Sequence, residues 1–345
     1  MKKGWIRSAA LAVAVVGMGL TGMGLTGMGL TGMGPMGASA QTVLKGGHIS
    51  PKDSVEGIAI DRFADLVKER TNGQLVLQIF PSEQLGKSVS QIDSTAIGNQ
   101  DMFFAGSPEM ERFSPGLRLL GLNWVVPSVE TFRNVTRDPV WNEILHEPLG
   151  KAGFTVLASN WERGPYRVMV STKPVQNLDD LKGMKLRIAP IDSWRRQWTA
   201  LGMQVVVLAW NDVYLGLKQG TIESVTSPLA LVGAMKFTEV AKHITRTDEF
   251  WQVLLPMVNR DRFAKLTPAQ QKIMRDAAEE VGTWFVAEQE RVGAADIERL
   301  KKEHGATYTV IDVKPGVDRM KPVIKQMEAE NFIPPGLYDK VLAIR

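Results

Sequence analysis

Residues Leu181–Pro228 read LKGMKLRIAPIDSWRRQWTALGMQVVVLAWNDVYLGLKQGTIESVTSP, and their spacing gives strand, helix, strand, helix, strand. Leu186 and Ile188 flank Arg187 in a short apolar strand. Ser193 to Leu201 suits a helix, with Gly202 placed to end it. Val205 to Ala209 is an apolar run of strand length. Asn211 then stands where a helix cap belongs, ahead of Val213, Tyr214 and Leu217 at helical spacing and a stop at Gly220. Ile222 to Val225 is the next strand. Alternation of this kind builds a parallel or mixed α/β sheet with helices packed on its faces. Ligands of open α/β sheets sit beyond strand ends, which is where Arg187, Trp210 and Ser227 fall.

The flanks extend the pattern. Thr42 to Ile49, Gln74 to Phe80 and Met102 to Ala105 read as strands. Between them lie a helix with Ile58, Phe63, Ala64 and Val67 on one face and a second helix over Ser88 to Gly98, giving βαβαβ. Val129 to Gly150 is helical but interrupted by Pro139 and Pro148, and Phe154 to Ala158 is a strand. Asn160 to Arg167, mixing glycine, proline and aromatic residues, reads as a crossing between two domains. Trp251 to Val258 is apolar and of strand character. From Thr267-Pro268 to Glu303 the pattern is helical for about 36 residues, roughly 54 Å if unbroken. The alternative is two shorter helices kinked near Gly293. A late strand over Thr307 to Ile311, a helix over Val317 to Asn331 and a short helix after Pro334-Pro335 close the chain.

The first forty residues stand apart. Lys2, Lys3 and Arg7 form a basic start, Ala9 to Val16 an apolar core, and Ala38-Ser39-Ala40 a small-x-small site, so a secretory signal peptide cleaved after Ala40 is expected. A GMGLT repeat lengthens it, which leaves an uncleaved anchor as the alternative. Gly17-Met18-Gly19-Leu20-Thr21-Gly22 matches G-x-G-x-x-G, but no strand precedes it, so it is not a dinucleotide site. This segment holds three of the 41 Lys and Arg and none of the 37 Asp and Glu, so the mature chain is nearly neutral. No basic footprint for nucleic acid remains. The absence of cysteine excludes disulfides, thiolate metal sites, a thiol nucleophile and a lipid-modified cysteine anchor.

The informative residues are arginines. A guanidinium is a planar fork that meets a carboxylate with two parallel hydrogen bonds. Arg187 in an apolar strand requires a partner, either a ligand carboxylate or an internal Asp or Glu. Arg167, at the domain crossing, has the same two readings; Arg163 and Lys173 read as solvated. Trp210 is a ligand wall or a core residue, and Trp124 and Trp161 are weaker candidates of that kind. His48 follows the first strand and either reaches the cleft or is held structurally. No metal-ligand spacing, nucleophile elbow or P-loop is present, so no cofactor is expected.

KGMKLR, then ALG, an aromatic before Asp212-Val213-Tyr214, a glycine turn and Ser227-Pro228 together resemble the substrate-binding proteins of TRAP transporters, the DctP-type receptors for organic acids. Phe80-Pro81-Ser82-Glu83-Gln84-Leu85-Gly86, Phe237-Thr238-Glu239-Val240 and Leu266-Thr267-Pro268-Ala269-Gln270-Gln271-Lys272 extend the resemblance over Thr42 to Lys321. It implies a two-domain periplasmic binding protein with mixed sheets, a cleft and a long helix spanning both domains. The domains implied are 41–162 with about 254–292, and 163–253 with about 293–345. Arg187 matches the family's carboxylate-clamping arginine and Arg167 a second arginine aimed at the ligand, with Trp210 at an aromatic wall position. Ser227 replaces a common asparagine, and Gly106 stands where sialic-acid-binding members have glutamate, so a smaller or less polar acid is expected. The implied function is a periplasmic receptor, not an enzyme, that closes on an organic acid and delivers it to a TRAP-type membrane permease. The alternatives are a secreted α/β enzyme acting on an acid, or a protein presenting its ligand to a membrane sensor.

Overall fold

The computed structural model describes residues 41–164 and 166–344. The expected leader, its repeat and its cleavage site lie outside the described residues. The strands are β1 Thr42–Gly47, β2 Leu75–Phe80, β3 Met102–Gly106, β4 Phe154–Val156, β5 Arg167–Ser171, β6 Lys185–Ile188, β7 Gln204–Val207, β8 Ser224–Pro228, β9 His243–Arg246, β10 Leu254–Asn259 and β11 Thr307–Val310. The helices are α1 Val55–Arg70, α2 Ser88–Ala96, α3 Pro115–Leu120, α4 Val129–Arg137, α5 Glu147–Lys151, α6 Asp192–Ala200, α7 Val213–Lys218, α8 Leu229–Ala234, α9 Arg260–Ala264, α10 Pro268–His304, α11 Lys314–Ala329 and α12 Leu337–Leu342.

Two mixed sheets result, ordered β2-β1-β3-β10-β4 and β11-β9-β5-β8-β6-β7. In the first, β1 runs parallel to β2 and β3, while β10 is antiparallel to β3 and β4. In the second, β6 is parallel to β7 and β8, and β5 is antiparallel to β8 and β9. The strand–helix–strand–helix–strand reading of 181–228 is thus β6-α6-β7-α7-β8.

Asn211 is a correction. A 3-10 turn, Trp210–Asp212, leads straight into α7, and no side chain caps it. The Asn211 amide instead donates to Ser82 O at 3.0 Å, on the first-sheet side.

Helix α10 is a single 37-residue helix and does not break at Gly293. Thr267 Oγ1 accepts from Gln270 N at 3.2 Å and Gln270 Oε1 from Thr267 N at 3.0 Å, a reciprocal cap. Gly305, at φ 63°, ends it in the left-handed conformation that glycine tolerates. Met274, Ala277, Val281 and Phe285 of its first half join the core that also holds Phe63 of α1 and Phe104 of β3. Leu300, near its end, joins the core of the second sheet with Val168, Val225 and Val232. One helix therefore seals one face of each sheet. A third core runs between the sheets, bringing Phe103, Phe154 and Met257 together with Leu186, Trp194, Trp198 and the α11 residues Met320, Ile324 and Met327.

Candidate functional site

A cavity of about 280 Å³ lies between the two sheets, at the ends of β5, β6, β7 and β8. Its apolar wall includes Ile92, Ile191, Trp194, Val207, Leu208 and Trp210. Arg163, Arg167 and Arg187 all reach it.

Arg187 sits on β6, in register with Val206 of β7 and Val225 of β8. The residue is 6% exposed. Its Nε donates to Leu208 O at 2.9 Å, and its guanidinium lies 5.2 Å from the Trp210 ring centroid. Those two contacts hold the guanidinium in the cavity wall, with no carboxylate at ion-pair distance among the described residues. Burial lowers its pKa to about 10, against the opposing pull of Glu109 and Glu83.

Arg167, at the start of β5, has the internal partner that the sequence left as one of two readings, and it also lines the cavity. Its Nε donates to the fully buried Glu249 Oε1 at 2.9 Å, and an Nη donates to Thr226 Oγ1 at 3.1 Å. Phe250 stacks on its guanidinium at 4.2 Å. Its other Nη is buried without a partner among the described residues, in the cavity wall. Arg163 corrects the solvated reading: it is buried, lines the cavity and donates from Nε to Glu56 Oε1 at 2.6 Å.

Three residues expected near the ligand lie behind the wall. Ser227 is fully buried and its hydroxyl donates to Pro228 O at 2.8 Å, while its neighbour Thr226 lines the cavity. Successive strand residues point to opposite faces, and every position of β8 is buried, so the sequence showed no alternation by which to choose. His48 is 1% exposed, with Nδ1 unpartnered; Ile49 takes its place at the cavity. Burial drops the His48 pKa to about 4 despite the nearby Glu56. A Cβ on Gly106 would stand 2.9 Å from Arg163 Nη1 and 3.1 Å from Gln252 Oε1, so Arg163 fills the space a longer side chain would use. Trp124 and Trp161 are core residues: the first donates to Thr247 O at 3.0 Å, the second to Ala278 O at 2.8 Å.

Sequence reasoning missed Thr226, Trp194, Glu109 and Glu111 at the cavity. Glu111 reaches across to the start of α6, where Oε1 accepts from Asp192 N at 2.8 Å and Ser193 N at 3.2 Å. Burial raises its pKa, opposed by Ser193, the Asp192 backbone and Arg118. Only its isolation in sequence made it unreadable. No cluster of side chains among the described residues is arranged to hold a metal ion. No helix among them is long and apolar enough to cross a membrane.

A profile of the DctP family, bacterial extracellular solute-binding protein family 7, matches residues 46–331. The 2,3-diketo-L-gulonate-binding periplasmic protein YiaO of Escherichia coli K12 is 30% identical over 293 residues, covering 84% of this chain and 87% of that protein. The sialic acid-binding periplasmic protein SiaP of Vibrio cholerae is 25% identical over 294 residues, covering 84% of this chain and 90% of that one. Among solved structures, a TRAP periplasmic solute-binding protein from Sulfitobacter sp. NAS-14.1 with bound β-D-galacturonate superposes with a TM-score of 0.81 at 22% identity, covering 88% of this chain and 99% of that one.

Proposed function

The chain belongs to family 7 of the bacterial extracellular solute-binding proteins, the substrate-binding proteins of TRAP transporters, and from that membership we propose that it is a periplasmic receptor whose Arg187 pairs with the carboxylate of an organic acid and which hands that acid to a TRAP-type membrane permease. The observation that carries the proposal is Arg187 itself. It is a buried guanidinium, oriented by Leu208 O and Trp210, in the wall of a cavity, with no carboxylate at ion-pair distance among the described residues. Burying an unpaired charge is costly, and a bound carboxylate removes that cost. Arg167 assists with its free Nη, and Trp210 walls the ligand body.

The proposed domains are 41–162 with about 254–292, and 163–253 with about 293–345, following the membership of the two sheets. Groups from both sides reach the cavity, so a ligand touching both favours their approach by its differential affinity for the closed state. A signal peptide ending at Ala40 would place the receptor in the periplasm, in line with the periplasmic names of its relatives.

The test is a thermal-shift screen of residues 41–345 against mono- and dicarboxylates, 2-oxo acids, aromatic acids and sugar acids, with Arg187→Ala beside the wild type. A ligand that binds only the folded state raises the midpoint by mass action. The expected result is a shift with at least one acid class, lost in Arg187→Ala. A shift that survives the substitution removes Arg187 from the carboxylate role.

A further inference from the structure

The charges around the cavity bear on which acids it admits, an inference that rests on the receptor reading above. Most cations of the wall are already committed. Arg163 pairs with Glu56 and Arg167 with Glu249. Lys87 is shared between Glu83, at 3.2 Å, and Asp212, at 3.3 Å, and Arg112 pairs with Asp93. Of the arginines that line the cavity, two lack a carboxylate within ion-pair distance among the described residues, Arg118 and Arg187. Arg118 donates to Phe332 O at 2.8 Å and lies 4.6 Å from the ring centroid of the same residue, and its charge acts on Glu111. With Arg118 held on Phe332 and set against Glu111, the cationic seat for a ligand anion is Arg187 together with the unpartnered Nη of Arg167.

Two carboxylates of the same wall have no cation within ion-pair distance, and both are held in place. Glu109 Oε1 accepts from Gly106 N at 3.1 Å, and its Oε2 accepts from Ser88 Oγ. Glu111 Oε1 is fixed on the first amides of α6, and its Oε2 is buried without a hydrogen-bond partner. Neither side chain can turn to neutralise Arg187 without giving up those bonds.

We propose that the cavity takes acids with a single carboxylate and rejects dicarboxylates, and that Glu109 and Glu111 are the residues that reject the second charge. The first carboxylate meets Arg187 and the free Nη of Arg167. A second one, in a cavity of about 280 Å³ lined by both Glu109 and Glu111, comes close to a fixed like charge. Like charges brought together disfavour binding, so discrimination of about tenfold or more is expected.

The experiment is isothermal titration of residues 41–345 with chain-matched pairs: butanoate and succinate, benzoate and phthalate, gluconate and glucarate. The wild type, Arg187→Ala, Arg118→Ala, Glu109→Gln and Glu111→Gln are compared. The expected result is that the single acid of at least one pair binds and its diacid binds at least about tenfold more weakly. Glu109→Gln or Glu111→Gln should bring that ratio towards one. The wild-type ratio alone tests the selection, so a variant that fails to fold does not silence the experiment. A diacid bound as tightly as its partner, with both lost in Arg187→Ala, overturns the selection and leaves the receptor reading intact. Diacid binding lost in Arg118→Ala overturns it by showing a second carboxylate seat. A ratio unmoved in both folded Gln variants removes Glu109 and Glu111 from the role. Binding of no acid in any pair overturns the receptor reading, and this inference with it.

Discussion

Two buried arginines of the same cavity have opposite energetic roles. Arg167 is balanced by Glu249, which is fully buried and also accepts from Thr247 Oγ1 at 2.5 Å. Removing one partner of a buried pair strands the other, at about 3–5 kcal/mol. Arg167→Ala is therefore expected to lose stability of that order in urea unfolding. Arg187 has no such partner, and its burial is a cost that the unliganded protein bears. Arg187→Met, which keeps the packing on Trp210, should unfold at equal or higher urea than the wild type while losing acid binding. A large loss of stability in Arg187→Met would mean that the guanidinium is structural. His48 gives a pH dependence of definite sign. Its folded pKa, about 4, lies below the unfolded value of 6.5, so the unfolded chain takes up the proton first. Stability is whole above about pH 6.5 and falls as pH drops towards 4, by roughly 3 kcal/mol in full. His48→Gln should flatten that window; an unchanged pH profile in the variant would assign the acid sensitivity elsewhere.

At the scale of elements, α10 and the residues around 160 depend on a close approach. A Cβ on Gly282 would fall 2.1 Å from Asn160 Oδ1 and 2.6 Å from Trp161 Cδ1. Trp161 is itself fully buried and donates to Ala278 O on the same helix, so it has nowhere to move. Alanine gains up to about 1 kcal/mol of helix propensity over glycine, but overpacking a full core costs about 1–3 kcal/mol. Gly282→Ala is thus expected to lower the thermal midpoint, and an increase would show that the crossing yields. The reciprocal cap at Thr267 is a milder case, with Thr267→Ala costing about 1 kcal/mol.

The whole molecule is bridged on the rim of its cavity by polar contacts, Lys87 to Asp212 and Asn211 to Ser82 O. Lys87 and Asp212 are both more than half exposed, at 55% and 56%, and exposed pairs are worth about 0–1 kcal/mol. On the proposed receptor reading, a rim contact of that magnitude would leave closure to be driven by the ligand. Lys87→Ala should change acid affinity less than about fivefold by calorimetry. Small-angle scattering should show a smaller radius of gyration when the acid is added to wild type, and no change in Arg187→Ala. Compaction without ligand binding would contradict this order of events.

The alternation of elements across 181–228, the unbroken α10 and the strand carrying Arg187 were legible because hydrophobic period, glycine stops and capping pairs act over a few residues. The buried arginine was legible for a related reason: a charge inside an apolar strand announces that something must answer it. What answers it was not legible. Whether Arg167 pairs with Glu249 82 positions away, whether Arg163 meets Glu56 107 positions away, and whether Thr226 or Ser227 faces the cavity all depend on how the two sheets come together. Sequence by itself determined the elements and the family of the fold. Only the tertiary structure decided which charges of the cavity wall neutralise one another and which stay without an ion-pair partner, because ion pairing acts through space and the chain that separates the partners carries no mark of it.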